Sequence, residues 1–253
     1  MQIKSKILKS LLGLIVCWAI NSCSVDTPFN GILHQPDHHL LRNYGPKADR
    51  YVRQHLIDLL IEVALGAEYG SDIKLLKKWT TPMRLYVGSD LSPELQATLF
   101  DVINEINVLC TDGFYIEQTI DSLSSNTYLY AGPALDFAKR FTQLTPLVEN
   151  HNGLIHVAYN DAYEITRAVI YVDTQHTLLV EQKHVLREEL TQGMGLLNDL
   201  KYYPESIFYE AQSRGDSFST FDKELIRLLY HPAFYPGMDS LRMHQTGKRI
   251  LGL

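Results

Sequence analysis

Apolar residues recur along this chain with two periods, and each period predicts one kind of secondary structure. Spacings of three and four residues predict helices, which we place at 49–68, 93–106, 134–141, 178–194 and 220–230. Alternating or continuous apolar runs predict strands at 83–87, 114–118, 127–130, 154–159 and 168–172. Because helices do not regularly separate the strands, this order predicts an α+β fold with one mixed sheet and helices on one side.

Local signals define where several elements begin or lie. Ser92 followed by Pro93 predicts a helix start, with a capping hydroxyl and a proline in the first turn. Ser219 with Asp222 three residues later predicts a capping box at the start of the last helix. Residues 168–172 form the most apolar strand, so we expect this strand at the centre of the sheet.

The first residues have the pattern of a secretory signal. Lys4, Lys6 and Lys9 surround the start of an apolar run over 8–20, which is shorter than the ~20 residues that a spanning helix needs. The sequence Ile-Asn-Ser-Cys at 20–23 then resembles the end of a bacterial lipoprotein signal. The resemblance implies a signal peptide over 1–22 and a lipid anchor at Cys23 in the cell envelope. An ordinary signal peptide or an uncleaved anchor is the alternative.

The sorting rule of enteric bacteria, applied to Ser24, favours the outer membrane with the protein facing the periplasm. Residues 23–48 contain prolines and glycines but no apolar period, which is typical of a flexible tether. One domain is expected over 49–253. His34, His38 and His39 lie in the tether, where a solvated linker is expected rather than a metal site.

Charge and cysteine content exclude some classes of function. Removal of the signal takes three lysines with it, so the formal net charge falls from −6 to −9. A chain this acidic is a poor candidate for nucleic-acid binding. With Cys23 acylated, Cys110 stands alone in an apolar helical pattern, so no disulfide is expected and Cys110 is interpreted as a core residue.

The segment over 188–199 has the spacing of a zinc-peptidase active-site helix without its histidines. The zinc motif reads His-Glu-x-x-His-x-x-Gly-x-x-His, and its three ligand positions are held here by Glu188, Gln192 and Asn198. The base position is kept as Glu189. The glycine that lets the chain reverse is kept as Gly195.

These side chains predict weak metal binding. Zinc prefers imidazole, thiolate or carboxylate ligands, so one carboxylate with two neutral amides suits it poorly. No cofactor is expected, although a weakly held divalent cation with added charge from Asp199 or Glu189 is compatible with the pattern. His184 lies one turn before Glu188, and this pair is an alternative ligand set beside the simpler interpretation of a helix-surface histidine.

The segment over 188–199 resembles the active-site helix and turn of the metzincin clan of metallopeptidases. Ser-Ile-Phe at 206–208 stands where that clan has its methionine turn, with Phe208 in place of methionine. Residues 218–230 resemble the clan's closing helix. The resemblance implies a metzincin-like domain whose substrate pairs with an edge strand beside the helix, here 154–159, and it leaves His156 as a residue that either faces ligand or lies on the strand surface.

A second resemblance is to a family of uncharacterised bacterial proteins, many of them lipoproteins. It rests on Glu-Glu-x-x-Gln-x-x-Gly-Leu-x-Asn-Asp at 188–199, on Ser-Ile-Phe, and on Leu-Tyr-His-Pro followed by Pro-Gly-Met at 229–238. It covers residues 49–240. This resemblance implies fold and location and names no activity.

Three functions remain open. The first is a peptidase-like domain that has lost its metal and binds a peptide or an envelope protein without turnover, with Glu188, Glu189, Gln192, Asn198 and Asp199 in one polar cluster. The second is an active metal-dependent hydrolase with Glu189 as general base. The third is a structural envelope protein, for which the 15 tyrosines offer interface residues. The chemistry favours binding over catalysis.

Overall fold

A computed structural model describes residues 45–66, 74–148, 151–210 and 217–253. The predicted signal, Cys23, the tether up to residue 44 and its three histidines lie outside these ranges. The helices and strands are α1 (Gly45–Leu65), β1 (Met83–Val87), α2 (Pro93–Leu109), β2 (Ile116–Thr119), β3 (Thr127–Gly132), α3 (Ala134–Arg140), a 3₁₀ turn (Thr142–Leu144), α4 (Thr145–Val148), β4 (Gly153–Tyr159), β5 (Ile165–Asp173), α5 (Leu179–Gln192), α6 (Thr220–Leu229) and α7 (Ser240–Leu251).

The five strands form one mixed sheet in the order β2-β1-β3-β5-β4. β1, β2, β3 and β5 run parallel, and β4 is antiparallel to β5 at one edge. The prediction of an α+β fold with a mixed sheet is therefore confirmed. The apolar strand β5 lies inside the sheet as expected, but the middle position belongs to β3.

Helices cover both faces of the sheet, so the prediction of helices on one side was wrong. The larger core joins α1, α2, α5 and α6 to residues such as Leu85, Leu129 and Ile170. On the opposite face, Phe137 and Leu144 pack with Leu154 and Tyr171. The reason is that β4 and β5 carry apolar side chains at consecutive positions, so both of their faces need cover.

The sequence patterns did not reveal α7. Only Met243, Thr246 and Gly247 are buried in this helix, so its apolar period is sparse. Asp239 caps its start, and the helix packs against α1, where Arg53 Nη1 donates to the carbonyl oxygen of Leu251 at 3.0 Å. Packing against α1 therefore stabilises this helix together with its cap.

The predicted helix starts are confirmed where a cap was recognised. Ser92 Oγ accepts from Leu95 N, and Ser219 forms the capping box with Asp222. α1 begins at Gly45, earlier than the predicted residue 49, and ends just before Gly66. Among the described residues, no helix has the length and apolar character needed to cross a membrane.

Candidate functional site

The helix α5 carries the degenerate zinc motif along the core face of β4 and β5. Residues at the end of the helix lie close to the edge strand, since a methyl group at Gly193 would be 3.1 Å from Ile155 Cδ1. Arg187, on the other side of the helix, lies 3.3 Å from Glu105 of α2 in an ion pair. The motif helix is thus fixed between the edge strand and α2.

Gly195 turns the chain after α5 as the motif predicts. Its φ is 112°, a conformation that side-chain-bearing residues rarely adopt. A Cβ at this position would also lie 2.2 Å from the carbonyl oxygen of Lys77. The turn therefore needs glycine for two independent reasons, and it brings residues 198 and 199 back toward α5.

Gln192 and Asp199 meet behind this turn. Gln192 is fully buried, and its Nε2 donates to Asp199 Oδ1 at 2.8 Å. A buried carboxylate gains strongly from a donated hydrogen bond. The amide at the second zinc-ligand position thus acts as a donor to a neighbouring acid.

Asn198, at the third zinc-ligand position, caps the carboxyl end of α1. Its main-chain N–H donates to the Val63 carbonyl oxygen at 3.0 Å, and its Nδ2 donates to the carbonyl oxygens of Glu62 and Asp199 at 3.3 Å and 3.1 Å. The last carbonyl groups of a helix have no partner within it. Asn198 supplies such partners from outside the helix.

Glu188, at the first ligand position, is placed beside His184. The His184 Nε2 lies 3.4 Å from Glu188 Oε2, and both side chains are largely buried. The alternative pair expected from the one-turn spacing is therefore brought together. Within the described residues, no three histidine, cysteine or acidic side chains converge in a way that suits a metal ion.

Glu189, at the base position, lies close to the edge strand β4. It is only 2% exposed, and a methyl group at Gly153, the first residue of β4, would lie 2.4 Å from Glu189 Oε1. Gln192 and Asp199 are hydrogen-bonded, His184 and Glu188 are paired, and Glu189 lies against β4, while the expectation of a single polar cluster stays a prediction.

His156 points away from the motif helix. Its neighbour Ile155 faces α5, so the alternation of a strand places His156 on the opposite face with Leu154. Burial lowers the pKa of His156, which favours the neutral ring. Its Nδ1 is buried and accepts or donates no hydrogen bond among the described residues.

The Ser-Ile-Phe segment over 206–208 is fixed directly beside the motif turn. Leu200 N donates to the Phe208 carbonyl oxygen at 2.6 Å, and Phe208 is fully buried. Asp222 accepts from Ser206 Oγ at 2.6 Å and from Ile207 N at 3.3 Å. Burial raises the pKa of Asp222, while these hydrogen bonds and those from Ser219 oppose the rise.

Two residues to which the sequence patterns gave no role at the site hold the end of α5. Trp79 Nε1 donates to the Gly193 carbonyl oxygen at 2.8 Å, and Tyr230 Oη donates to that of Met194 at 2.7 Å. Tyr230 belongs to the Leu-Tyr signature, so the sequence marked it as a residue of interest. Trp79 lies more than a hundred residues before Gly193 in the chain, and no sequence pattern marked it.

The residues at the zinc-ligand positions do not fit zinc. Gln192 and Asn198 offer only neutral amide oxygens, whereas zinc prefers imidazole nitrogen, thiolate or carboxylate, and their amide nitrogens donate to Asp199 and to carbonyl oxygens. Only Glu188 offers a suitable charged atom. No step of a reaction is therefore assigned to a metal here.

A family model described as a protein of unknown function, DUF2927, matches residues 53–246. The chain belongs to the DUF2927 family. The matched range includes the segments at 188–199, 206–208 and 229–238, so the prediction of an uncharacterised family is confirmed. No curated protein matches the chain. The likeness of this DUF2927 domain to metzincins stays a prediction.

Proposed function

We propose that this DUF2927 protein is a lipid-anchored protein of the bacterial envelope whose metzincin-like domain binds an extended peptide or protein segment without cleaving it. The observation that carries the proposal is that the amides at two zinc-ligand positions make hydrogen bonds within the protein. Gln192 donates to Asp199, and Asn198 caps α1. Beside them, β4 remains at the edge of the sheet.

Several positions support a metzincin-like ancestry. The motif helix lies beside an edge strand, as the resemblance implies for a substrate-binding strand. The glycine turn leads to a segment that is hydrogen-bonded to Phe208, in the place of the methionine turn. The tyrosine that ends α6 reaches the carbonyl group just after α5. These contacts join the same motifs that the sequence resemblance connects.

The outer edge of β4 offers backbone groups for strand addition. Asp173 N donates to the Asn152 carbonyl oxygen at 2.8 Å, so Asn152 and Asp173 are a hydrogen-bonded pair of the antiparallel ladder. Because backbone groups alternate in direction along a strand, the N–H and C=O groups of Ile155 and Val157 point away from β5. Among the described residues no strand pairs with that edge. A peptide that adds there gains main-chain hydrogen bonds whatever the catalytic state.

Turnover is not expected from the residues that remain. Glu189 keeps the base position, but its carboxylate is buried against Gly153. General-base attack on an amide needs an electrophile that stabilises the developing oxyanion. Gln192 donates to Asp199, and Asn198 donates to carbonyl oxygens. Stabilisation of an oxyanion is therefore not assigned to either residue.

The test is capture of short random peptides by the full chain extracted in detergent, with mass spectrometry of the bound and unbound pools. The proposal predicts intact bound peptides. One binder would then be resynthesised in two forms, with N-methyl groups at the odd residues or at the even residues. One form should lose binding and the other should still bind, because only one edge of the peptide faces β4.

The other two functions give different results in the same assay. Cleaved peptides that disappear in Glu189→Gln would establish a hydrolase and overturn the proposal. Failure to capture any peptide, or equal binding of both N-methylated forms, would remove strand addition and leave a structural envelope protein.

A further inference from the structure

A cavity beside the segment over 231–238 lies apart from the residues that the proposed function uses. Lys78, Asp112 and Phe114 line a cavity of about 240 Å³ together with Phe234, Tyr235 and Pro232. None of these residues belongs to the degenerate zinc motif. This cavity is therefore a candidate binding site separate from the motif.

The wall of the cavity is held in place by backbone hydrogen bonds. Gly237 N donates to the Leu76 carbonyl oxygen at 2.8 Å, and Leu76 N donates to that of Met238 at 2.9 Å. Phe234 N donates to the His231 carbonyl oxygen at 3.0 Å. A wall fixed in this way is preformed, which lowers the entropic cost of binding.

The charges of the cavity floor are balanced within it. Lys78 is 3% exposed, and its Nζ lies 2.7 Å from Asp112 Oδ2 and donates to the Phe234 carbonyl oxygen at 2.7 Å. The ammonium group also lies 5.0 Å from the centre of the Tyr230 ring. All three directions of the ammonium group thus have partners, and the pair adds no net charge.

The polar atoms left for a ligand are acceptors. Asp112 Oδ1 accepts from Phe114 N at 3.0 Å, but a carboxylate has about four acceptor positions, so two remain. Thr80 donates its hydroxyl proton to Glu164 Oε1 at 3.2 Å, which leaves its oxygen as an acceptor. At the rim, Tyr235 is 51% exposed beside Pro232 and presents an apolar surface.

We propose that this cavity binds one neutral sugar ring, with hydroxyl groups donating to Asp112 and Thr80 and a C–H face against Tyr235. A cation would meet the ammonium group of Lys78, and an anion would meet Asp112. A purely apolar group would bury the remaining acceptors of Asp112 without a donor, which costs free energy. A neutral ring with donors on one edge and C–H groups on one face meets all three conditions.

The test is saturation-transfer NMR on the full chain in a detergent without a sugar headgroup. The probes are the methyl glycosides of glucose, galactose and N-acetylglucosamine. We expect transfer strongest to the ring protons of one face. Tyr235→Ala should lower the affinity about tenfold, as loss of one stacked ring predicts.

The matched control is Tyr202→Ala, which removes a tyrosine 66% exposed and outside the cavity. This variant should bind as the wild type does, and Thr80→Val should weaken binding. No transfer to any glycoside, or equal affinity of Tyr235→Ala and wild type, would overturn the proposal. Binding of p-cresol with none of the glycosides would assign the cavity to an aromatic side chain and also overturn it.

Discussion

The Nδ2 of Asn198 donates to the carbonyl oxygen of Glu62 at 3.3 Å, and the main-chain N–H of Asn198 donates to that of Val63. The position that would hold the third zinc ligand in a peptidase is therefore a cap for the helix α1. A histidine ring at this position lacks the NH2 group with which Asn198 reaches the carbonyl oxygens of both Glu62 and Asp199. This contact gives a structural reason for an amide in place of the metal ligand.

Replacement of Asn198 by Asp should destabilise the protein by about 1 kcal/mol. The carboxylate loses the Nδ2 donor and adds negative charge at the carboxyl end of α1, where the helix dipole disfavours it. Urea unfolding of wild type and Asn198→Asp measures the difference. Equal unfolding midpoints and slopes would show that the cap does not stabilise α1.

Replacement of Gln192 by Glu should be more harmful than replacement by Leu at neutral pH. Glu would place a second carboxylate near Asp199 in a fully buried position, and two such groups disfavour joint ionisation. Thermal unfolding at pH 7 and pH 5 distinguishes the variants, because protonation of one of two neighbouring carboxylates should recover more of the loss in Gln192→Glu than protonation of Asp199 alone recovers in Gln192→Leu. A pH-independent loss would contradict this account.

Removal of Asp222 should loosen the segment over 206–208. Its carboxyl group accepts from Ser206, Ile207 and Ser219, and loss of these three hydrogen bonds in a buried position costs about 3 kcal/mol. The control is Asp136→Ala, which removes an exposed ion pair with Lys139 and should cost under about 1 kcal/mol. Comparable losses of unfolding free energy in the two variants would argue against an anchoring role for Asp222.

His156 should make the protein less stable in mild acid. Burial lowers its pKa in the folded state, so below about pH 6.5 the unfolded chain binds more protons and the free energy of unfolding falls with falling pH. The variant His156→Phe should show a shallower decrease between pH 7 and pH 5. His55 and His151 also have pKa values lowered by burial, so the difference between variant and wild type is the quantity to measure. Identical slopes would exclude the contribution of His156.

Sequence patterns predicted the elements whose signals are local. The strands, the Ser92 and Ser219 caps and the turn at Gly195 follow from periodicity, hydroxyl spacing and backbone conformation. α7 escaped because its stabilising contacts belong to α1. The position of helices on the second face of the sheet was not predicted, because a strand that is apolar on both faces does not indicate which elements cover each face.

The candidate site was predictable as a set of residues but not as an arrangement. Spacing along α5 placed Glu188 and His184 together, and the structure agrees. Spacing alone did not show that Asn198 reaches α1 or that Glu189 lies against Gly153, because both contacts join segments far apart in the chain. Tertiary packing, not the motif, decides which atoms face one another.

Metal content of the full chain tests most directly the claim that the degenerate motif no longer holds a catalytic metal. The chain would be extracted in detergent without chelator or metal-affinity tag, and its divalent metals would be measured by mass spectrometry beside Glu188→Ala. We predict far less than one equivalent of any divalent metal in both proteins. One equivalent in the wild type that is lost in Glu188→Ala would contradict the account and favour a metal-dependent hydrolase.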